Sequence, residues 1–209
     1  MHTKMFKLEL FSVLIVLLLN ISCSFAGAIP NKTPTSIGNY EYPKGVYIPS
    51  NFTIPDGNVF KFKLYLAGFV WKRCNGTSGQ WVGDQYRSVY FNREEDIHLY
   101  PYSAVAMLDS RGAVFRSNIP KYDSSTMSFS CITSAPSYNN PTENANDELC
   151  LAKNNTGNGA FSDITYIILT EAKGGAAPPN TECGTKYPDG YVYSDVLTAT
   201  ILLYHRGTQ

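Results

Sequence analysis

A hydrolase needs a base, and outside its first 28 residues this 209-residue chain holds two histidines, His98 and His205. Neither belongs to a His-Glu-x-x-His pair, and the chain has no Gly-x-Ser-x-Gly elbow or glycine-rich phosphate loop. Nucleophilic, metal-assisted and phosphoryl mechanisms therefore have no motif to stand on. Glu94-Glu95-Asp96 supplies adjacent carboxylates, but a glycosidase pair must flank a cleft, and charges side by side in a turn are ordinarily solvated. The residue types in excess are aromatic: fifteen Tyr, eleven Phe and two Trp. Trp71, Trp81, Tyr86, Tyr90, Tyr100 and Tyr102 crowd one stretch, and exposed rings of this kind stack on the apolar faces of sugars or anchor protein interfaces. Trp71, Trp81 and Tyr86 are the candidate contacts to a glycan or receptor. Trp81 and Tyr86 flank a Gly-Asp turn, which favours their exposure, whereas alternate aromatics of a sheet face the core. The chemistry expected is binding without catalysis, with no cofactor and no metal.

The cysteines bound the setting in which that binding occurs. Lys4 and Lys7 precede an apolar run from Leu10 to Leu19, followed by small residues ending in Ala26-Gly27-Ala28. This is the pattern of a secretory signal peptide, residues 1–28, too short in its apolar part for a membrane anchor. Leu19-Asn20-Ile21-Ser22-Cys23 also approaches a lipoprotein box, with Asn20 where that signal takes Leu. Beyond residue 28 stand Cys74, Cys131, Cys150 and Cys183, an even number in an exported chain, which reads as two disulfides with three connectivities open. No two lie at the short spacing of structural zinc sites.

A formal net charge of zero and the lack of a dense basic stretch exclude a nucleic-acid footprint. No segment after the leader is long and apolar enough to span a membrane. Asn31, Asn51, Asn75 and Asn154 each begin an Asn-x-Thr acceptor for glycosylation, used only in a eukaryotic secretory route.

The elements that must position these residues read as strands. Residues 29–58 are broken by prolines and form an extended lead-in, with at most short strands at Val46–Ile48 and Phe52–Ile54. In VFKFKLYLAGFVWKRC, Phe60, Phe62, Leu64 and Leu66 oppose Lys61, Lys63 and Tyr65, the alternation of a half-buried strand. WVGDQYRSVYF, IHLYPYSAVAMLDS, AVFRSNI, the segment around Cys131 and DITYIILTEA continue the series, with a hairpin turn at Asp109-Ser110-Arg111-Gly112. Residues 134–159 are polar and read as a long surface loop held by a disulfide through Cys150, in which ENANDELCLAK could form a helical turn. The chain closes on GYVYSDVLTATILLYHRG, where Leu197, Ala199, Ile201 and Leu203 alternate with Thr198 and Thr200. About eight strands with closely spaced turns predict one all-β domain over 59–209, a sandwich or a barrel, with long loops tied to it by disulfides.

Gly190 to Tyr204 resembles the C-terminal strand of bacterial chaperone-usher pilus subunits and capsule-like antigens, which commonly ends Gly-x-Tyr-x-Asp-x-Leu-Thr-Val-Thr-Ile. The resemblance implies an immunoglobulin-like β-sandwich with long disulfide-tied loops, incomplete for want of its seventh strand, with an open groove beside the terminal strand. Leu197, Ala199, Ile201 and Leu203 would line that groove, filled first by a periplasmic chaperone and then by a neighbouring pilus subunit. The family pattern places Tyr next to last, whereas five residues follow Tyr204 here, and the proline-broken lead-in is a poor donor strand. A subunit without a donor strand fits the tip of a fibre better than its shaft. The expectation is an exported, non-catalytic adhesive subunit of a surface fimbrium that binds a glycan or receptor. The alternatives are a free-standing secreted lectin-like module, whose terminal strand belongs to a closed sheet, and a small secreted hydrolase.

Overall fold

The alternation of Phe62, Leu64 and Leu66 with charged and aromatic neighbours extends into a single strand of 18 residues, β1 (Asn58–Asn75), long enough to bond to different partners along its two edges. A computed structural model describes residues 34–97, 101–109 and 112–207. Seven more strands follow: β2 (Gln80–Phe91), β3 (Ala104–Asp109), β4 (Gly112–Ser117), β5 (Thr126–Ala135), β6 (Asp147–Thr156), β7 (Ile164–Gly174) and β8 (Val192–Arg206). Each strand pairs antiparallel with the next in sequence, and β8 returns to β1, so the sheet closes into an eight-stranded up-and-down barrel. The chain is not a sandwich. A sandwich needs two sheets, whereas β1 carries β2 on one edge from Tyr65 to Asn75 and β8 on the other from Asn58 to Arg73.

The same closure corrects the groove implied for the terminal strand. β8 is hydrogen-bonded to β1 on one edge and to β7 on the other, so no strand is missing for a chaperone or a neighbouring subunit to supply. Leu197, Ala199, Ile201 and Leu203 are buried in the main core with Phe62, Leu64 and Leu66 from β1. Alternation was read correctly, but it cannot distinguish a groove wall from a barrel interior.

The segment read as a loop from 134 to 159 holds the whole of β6. Its inward face, Cys150 and Ala152, joins the main core, while Leu149 points the other way into a second cluster. Polar residues hid this strand because they fill its exposed end, from Lys153 to Thr156. No helical turn forms in ENANDELCLAK.

In an eight-stranded barrel the lumen is just wide enough for side chains, or for one small ligand. Here aromatic rings fill the end where β1 starts. Phe115 packs 4.6 Å from Tyr90 and 5.5 Å from Phe161, which lies 6.2 Å from Phe62. The connection before β5 seals that end through Asp123. Its carboxylate accepts hydrogen bonds from the Ser125 amide and hydroxyl and from the Ala160 amide. The connections β1–β2, β3–β4, β5–β6 and β7–β8 gather at the opposite end, as a meander requires.

Residues 34–57 form a strap whose start tucks Ile37 into the main core and whose remainder runs along the outside of the wall. Only an isolated bridge, Asn39 to Lys63, pairs it with the sheet, and neither short strand forms. Val46, Ile48, Phe52 and Ile54 cover Leu149, Ile168 and Leu202. Each such apolar side chain contributes about 1.5–3 kcal/mol when fully removed from water. The disulfides join Cys74 to Cys183 and Cys131 to Cys150. The predicted signal peptide, Cys23 and Asn31 lie outside the described residues. Among the described residues, no helix is long and apolar enough to cross a membrane.

Candidate functional site

The aromatic filling stops short of the other end of the barrel, and a cavity of about 210 Å³ remains there. Its apolar wall comes from Val70, Phe129, Leu169 and Leu197, with Leu108 and Ala113 from the β3–β4 hairpin. Strand alternation places these side chains at one level: Val70 stands four residues beyond Leu66 on β1, and Leu197 stands two before Ala199 on β8. Tyr86 enters from β2, above Tyr90. The two hydroxyls lie 2.6 Å apart, and Ser88 Oγ donates to the Tyr90 hydroxyl at 2.9 Å. Burial pushes the Tyr86 hydroxyl up to about 12, although its hydrogen bonds act in the opposite direction. Both phenols therefore stay neutral hydrogen-bonding groups at any ordinary pH.

Two acids line this cavity, Asp84 and Glu148, and among the described residues only Asp84 is paired with a cation, Arg73. Glu148 follows Asp147 on β6 and shares the inward face of Cys150. Burial raises its pKa, and the Lys72 ammonium pulls it back down. The Cys131 sulfur lies 3.2 Å from Glu148 Oε2, but in the disulfide it carries no hydrogen to donate. Among the described residues, no other polar group hydrogen-bonds the Glu148 side chain, and Lys72 forms no ion pair within 4.0 Å. Cys131, Glu148 and Cys150 bring their ligand atoms within 4.8 Å of one another. Two of the three are joined as a disulfide, so the thiolates a soft metal would need are absent.

No family model, no curated protein and no solved structure matches this chain. What the site can do must therefore be argued from its geometry.

The residues expected from sequence to bind divide into two groups. Trp71 and Tyr86 line the open end, with the Trp71 ring 5.9 Å from Phe69. Trp81 belongs instead to a cluster on the rim, where it meets Tyr187, Tyr191 and Tyr193 edge-on at 5.3 to 6.5 Å. The disulfide Cys74–Cys183 and the hydrogen bond from the Gly76 amide to Asp189 Oδ1 hold this cluster to the end of β1. Leu197 lines the open end, and Ala199, Ile201 and Leu203 belong to the filled core below it.

Lys72, Phe129, Glu148 and Leu169 were not singled out from sequence. The signal for Glu148 was the alternation Glu148, Cys150, Ala152, which a loop assignment conceals. His98 and Tyr100 lie outside the described residues. His205 Nδ1 sits 3.1 Å from Asp163 Oδ2 near the last residues of β8, at the opposite end from the cavity. Glu94–Asp96 forms a short surface turn in which Glu95 and Asp96 pair with Arg93. Asn51, Asn75 and Asn154 are exposed.

Proposed function

We propose that this chain is an exported, free-standing and non-catalytic binding module that takes a small ligand into the open end of its barrel. The observation that carries the reading is the apolar cavity left above Tyr86 and Phe129, in a barrel whose other end is packed solid with aromatic rings. A sheet closed for stability alone would fill both ends, since each missing contact in an interior costs dispersion and transfer free energy. The cavity equals the liquid volume of about seven water molecules. It suits a compact ligand of a few carbons. Binding follows from burying the ligand's apolar surface against Val70, Phe129, Leu169 and Leu197. Two disulfides are consistent with an oxidising compartment.

Hexanol is a suitable neutral probe. It should bind at one site per chain and change the fluorescence of Trp71, which adjoins Val70 in the cavity wall. A folded chain that binds neither hexanol nor other compact apolar molecules at millimolar concentration would overturn the reading.

A second reading keeps adhesion, on the strength of the rim cluster. Tyr191 is 43% exposed beside Trp81, Tyr187 and Tyr193, and such a platform can stack on a sugar face. Glycan binding by the intact chain that is lost in Trp81→Ala, with hexanol binding retained, would favour this reading.

A further inference from the structure

We infer that the open end of the barrel selects a small amphiphilic monocation, a short alkyl or aryl chain bearing a primary ammonium, whose charge is received by Glu148. This rests on the proposed binding role of the same cavity and adds the chemical class of its ligand. Glu148 is a half-buried carboxylate that the fold leaves without a hydrogen-bond donor, since among the described residues the one polar atom within hydrogen-bonding distance of it is a disulfide sulfur. Acceptors set in apolar surroundings are ordinarily satisfied, and an unmet one recovers free energy from whatever donor arrives. A primary ammonium offers three donors and a full charge, and a charge-assisted hydrogen bond is about twice as strong as a neutral one.

The remaining geometry fits such a ligand. The apolar wall of Val70, Phe129, Leu169 and Leu197 holds the hydrocarbon, while the Tyr86 hydroxyl can accept a further hydrogen bond. Asp84, the other acid lining this end, is committed to Arg73, whose Nη2 lies 2.7 Å from its Oδ1. That leaves Glu148 as the free anion. Lys72 lines the same end and would draw a carboxylate ligand if it governed selection. Its long side chain can carry the charge outward into water, whereas the short stem of Glu148 is fixed in the wall.

The test compares hexylammonium, hexanol and hexanoate on the full chain by calorimetry, with Trp fluorescence as a second readout. The expected result is that hexylammonium binds about ten-fold more tightly than hexanol, with hexanoate the weakest. In Glu148→Gln the ammonium's advantage should vanish, and detectable hexanol binding shows that the variant has folded. If hexanol binds and hexylammonium binds no better, the inference fails while the cavity's binding role stands. Tighter binding of hexanoate would assign selection to Lys72 and also overturn it. If none of the three binds, the binding role itself fails. The wild-type comparison is decisive even if the variant does not fold.

Discussion

Asp147 and Glu148 are adjacent in sequence and face opposite sides of the barrel wall. Glu148 borders the open lumen, whereas Asp147 is fully buried in the seam where the strap docks, beside Thr170 and Glu171. The Thr170 hydroxyl donates to the Tyr47 carbonyl of the strap at 2.7 Å, and the Tyr47 amide approaches Glu171 Oε1 at 3.4 Å. Neither Asp147 oxygen makes a hydrogen bond of ordinary geometry. One strand thus carries two unsatisfied acids, one open to a ligand and the other closed under the strap.

The buried acid predicts an inverted pH dependence of stability. Burial pushes the Asp147 carboxyl from 3.8 up to about 6, with the neighbouring Glu171 charge adding to the rise and the Thr170 hydroxyl and Glu171 amide opposing it. Because the folded pKa exceeds the unfolded one, the folded state holds the extra proton. Stability is full below about pH 4 and falls as pH rises through about 6. The gap corresponds to at most about 3 kcal/mol. Urea unfolding between pH 4 and pH 7 should show this decline, and Asp147→Asn should flatten it and unfold later than wild type at pH 7. Glu148, also raised, has the same sign, so Glu148→Gln alone should leave most of the slope. A wild-type profile that rises across this range would refute the assignment.

Phe52→Ala should detach the strap without opening the barrel. Phe52 packs on Leu149, Ile168 and Leu202 and is the strap's largest buried contact in that cluster. Truncating a buried Phe costs about 3–5 kcal/mol in a rigid core. A strap that pairs with the sheet at one isolated bridge and is otherwise tied by a few hydrogen bonds, such as Thr170 to the Tyr47 carbonyl, can instead come away locally. Hydrogen exchange should accelerate over residues 46–54, with the amides of β1 and β8 unchanged. Water would then reach Asp147, so the decline of stability above pH 4 should shrink in the same variant. Uniform acceleration over the whole chain would show that strap and barrel unfold together.

Strands were legible wherever one face is apolar. Phe62, Leu64 and Leu66, and likewise Leu197, Ala199, Ile201 and Leu203, stand on the inward faces of β1 and β8 as their spacing requires. Closure was not legible, because period two reports a buried face and is silent on whether that face meets a second sheet or its own curved continuation. β6 escaped because Asp147, Glu148, Lys153 and the asparagines outnumber Leu149 and Leu151, although the interior needs only small side chains at that level. Trp71 and Tyr86 were singled out by ring type, and both are among the residues lining the cavity. Trp81, of the same type, stands elsewhere, since ring type does not encode the bulge between Trp71 and Lys72 or the loop that carries Tyr187 and Tyr191. Glu148 depends on contacts across four strands that no local pattern contains.

Gly68→Ala should be destabilising, although Ala ordinarily suits a strand better than Gly. A Cβ at residue 68 would collide with the Arg87 carbonyl oxygen and lie 2.8 Å from Ser88 Cα, both in the backbone of β2. Backbone in a closed barrel cannot move aside as a surface side chain can. The expected loss is about 1–3 kcal/mol in chemical unfolding. A variant as stable as wild type would show that β1 and β2 can separate locally.

The two disulfides should differ in weight and in what their loss reports. Cys74–Cys183 closes a separation of 109 residues and Cys131–Cys150 one of 19. On the chain-entropy account, their loss costs about 5 and about 3 kcal/mol respectively. Replacing Cys74 and Cys183 by Ser should also loosen the rim and alter Trp81 fluorescence, because Cys183 anchors the loop bearing Tyr187. The Cys131/Cys150 double variant should leave that signal intact. A larger loss from the shorter link would point to residual structure in the unfolded chain that the longer link no longer restrains.

Filling the lumen separates binding from folding. Ala113 lines the cavity opposite Phe129, its register partner across β4 and β5. In Ala113→Phe the added ring would occupy the space that the fold leaves empty, burying apolar area without breaking a hydrogen bond. Stability should stay within about 1.5 kcal/mol of wild type. Hexanol affinity should fall by at least about ten-fold, because the ligand's gain came from the same apolar wall. Unchanged hexanol binding by a folded Ala113→Phe protein would place the ligand outside the barrel, and the outer aromatic rim around Trp81 would then be the surface to test.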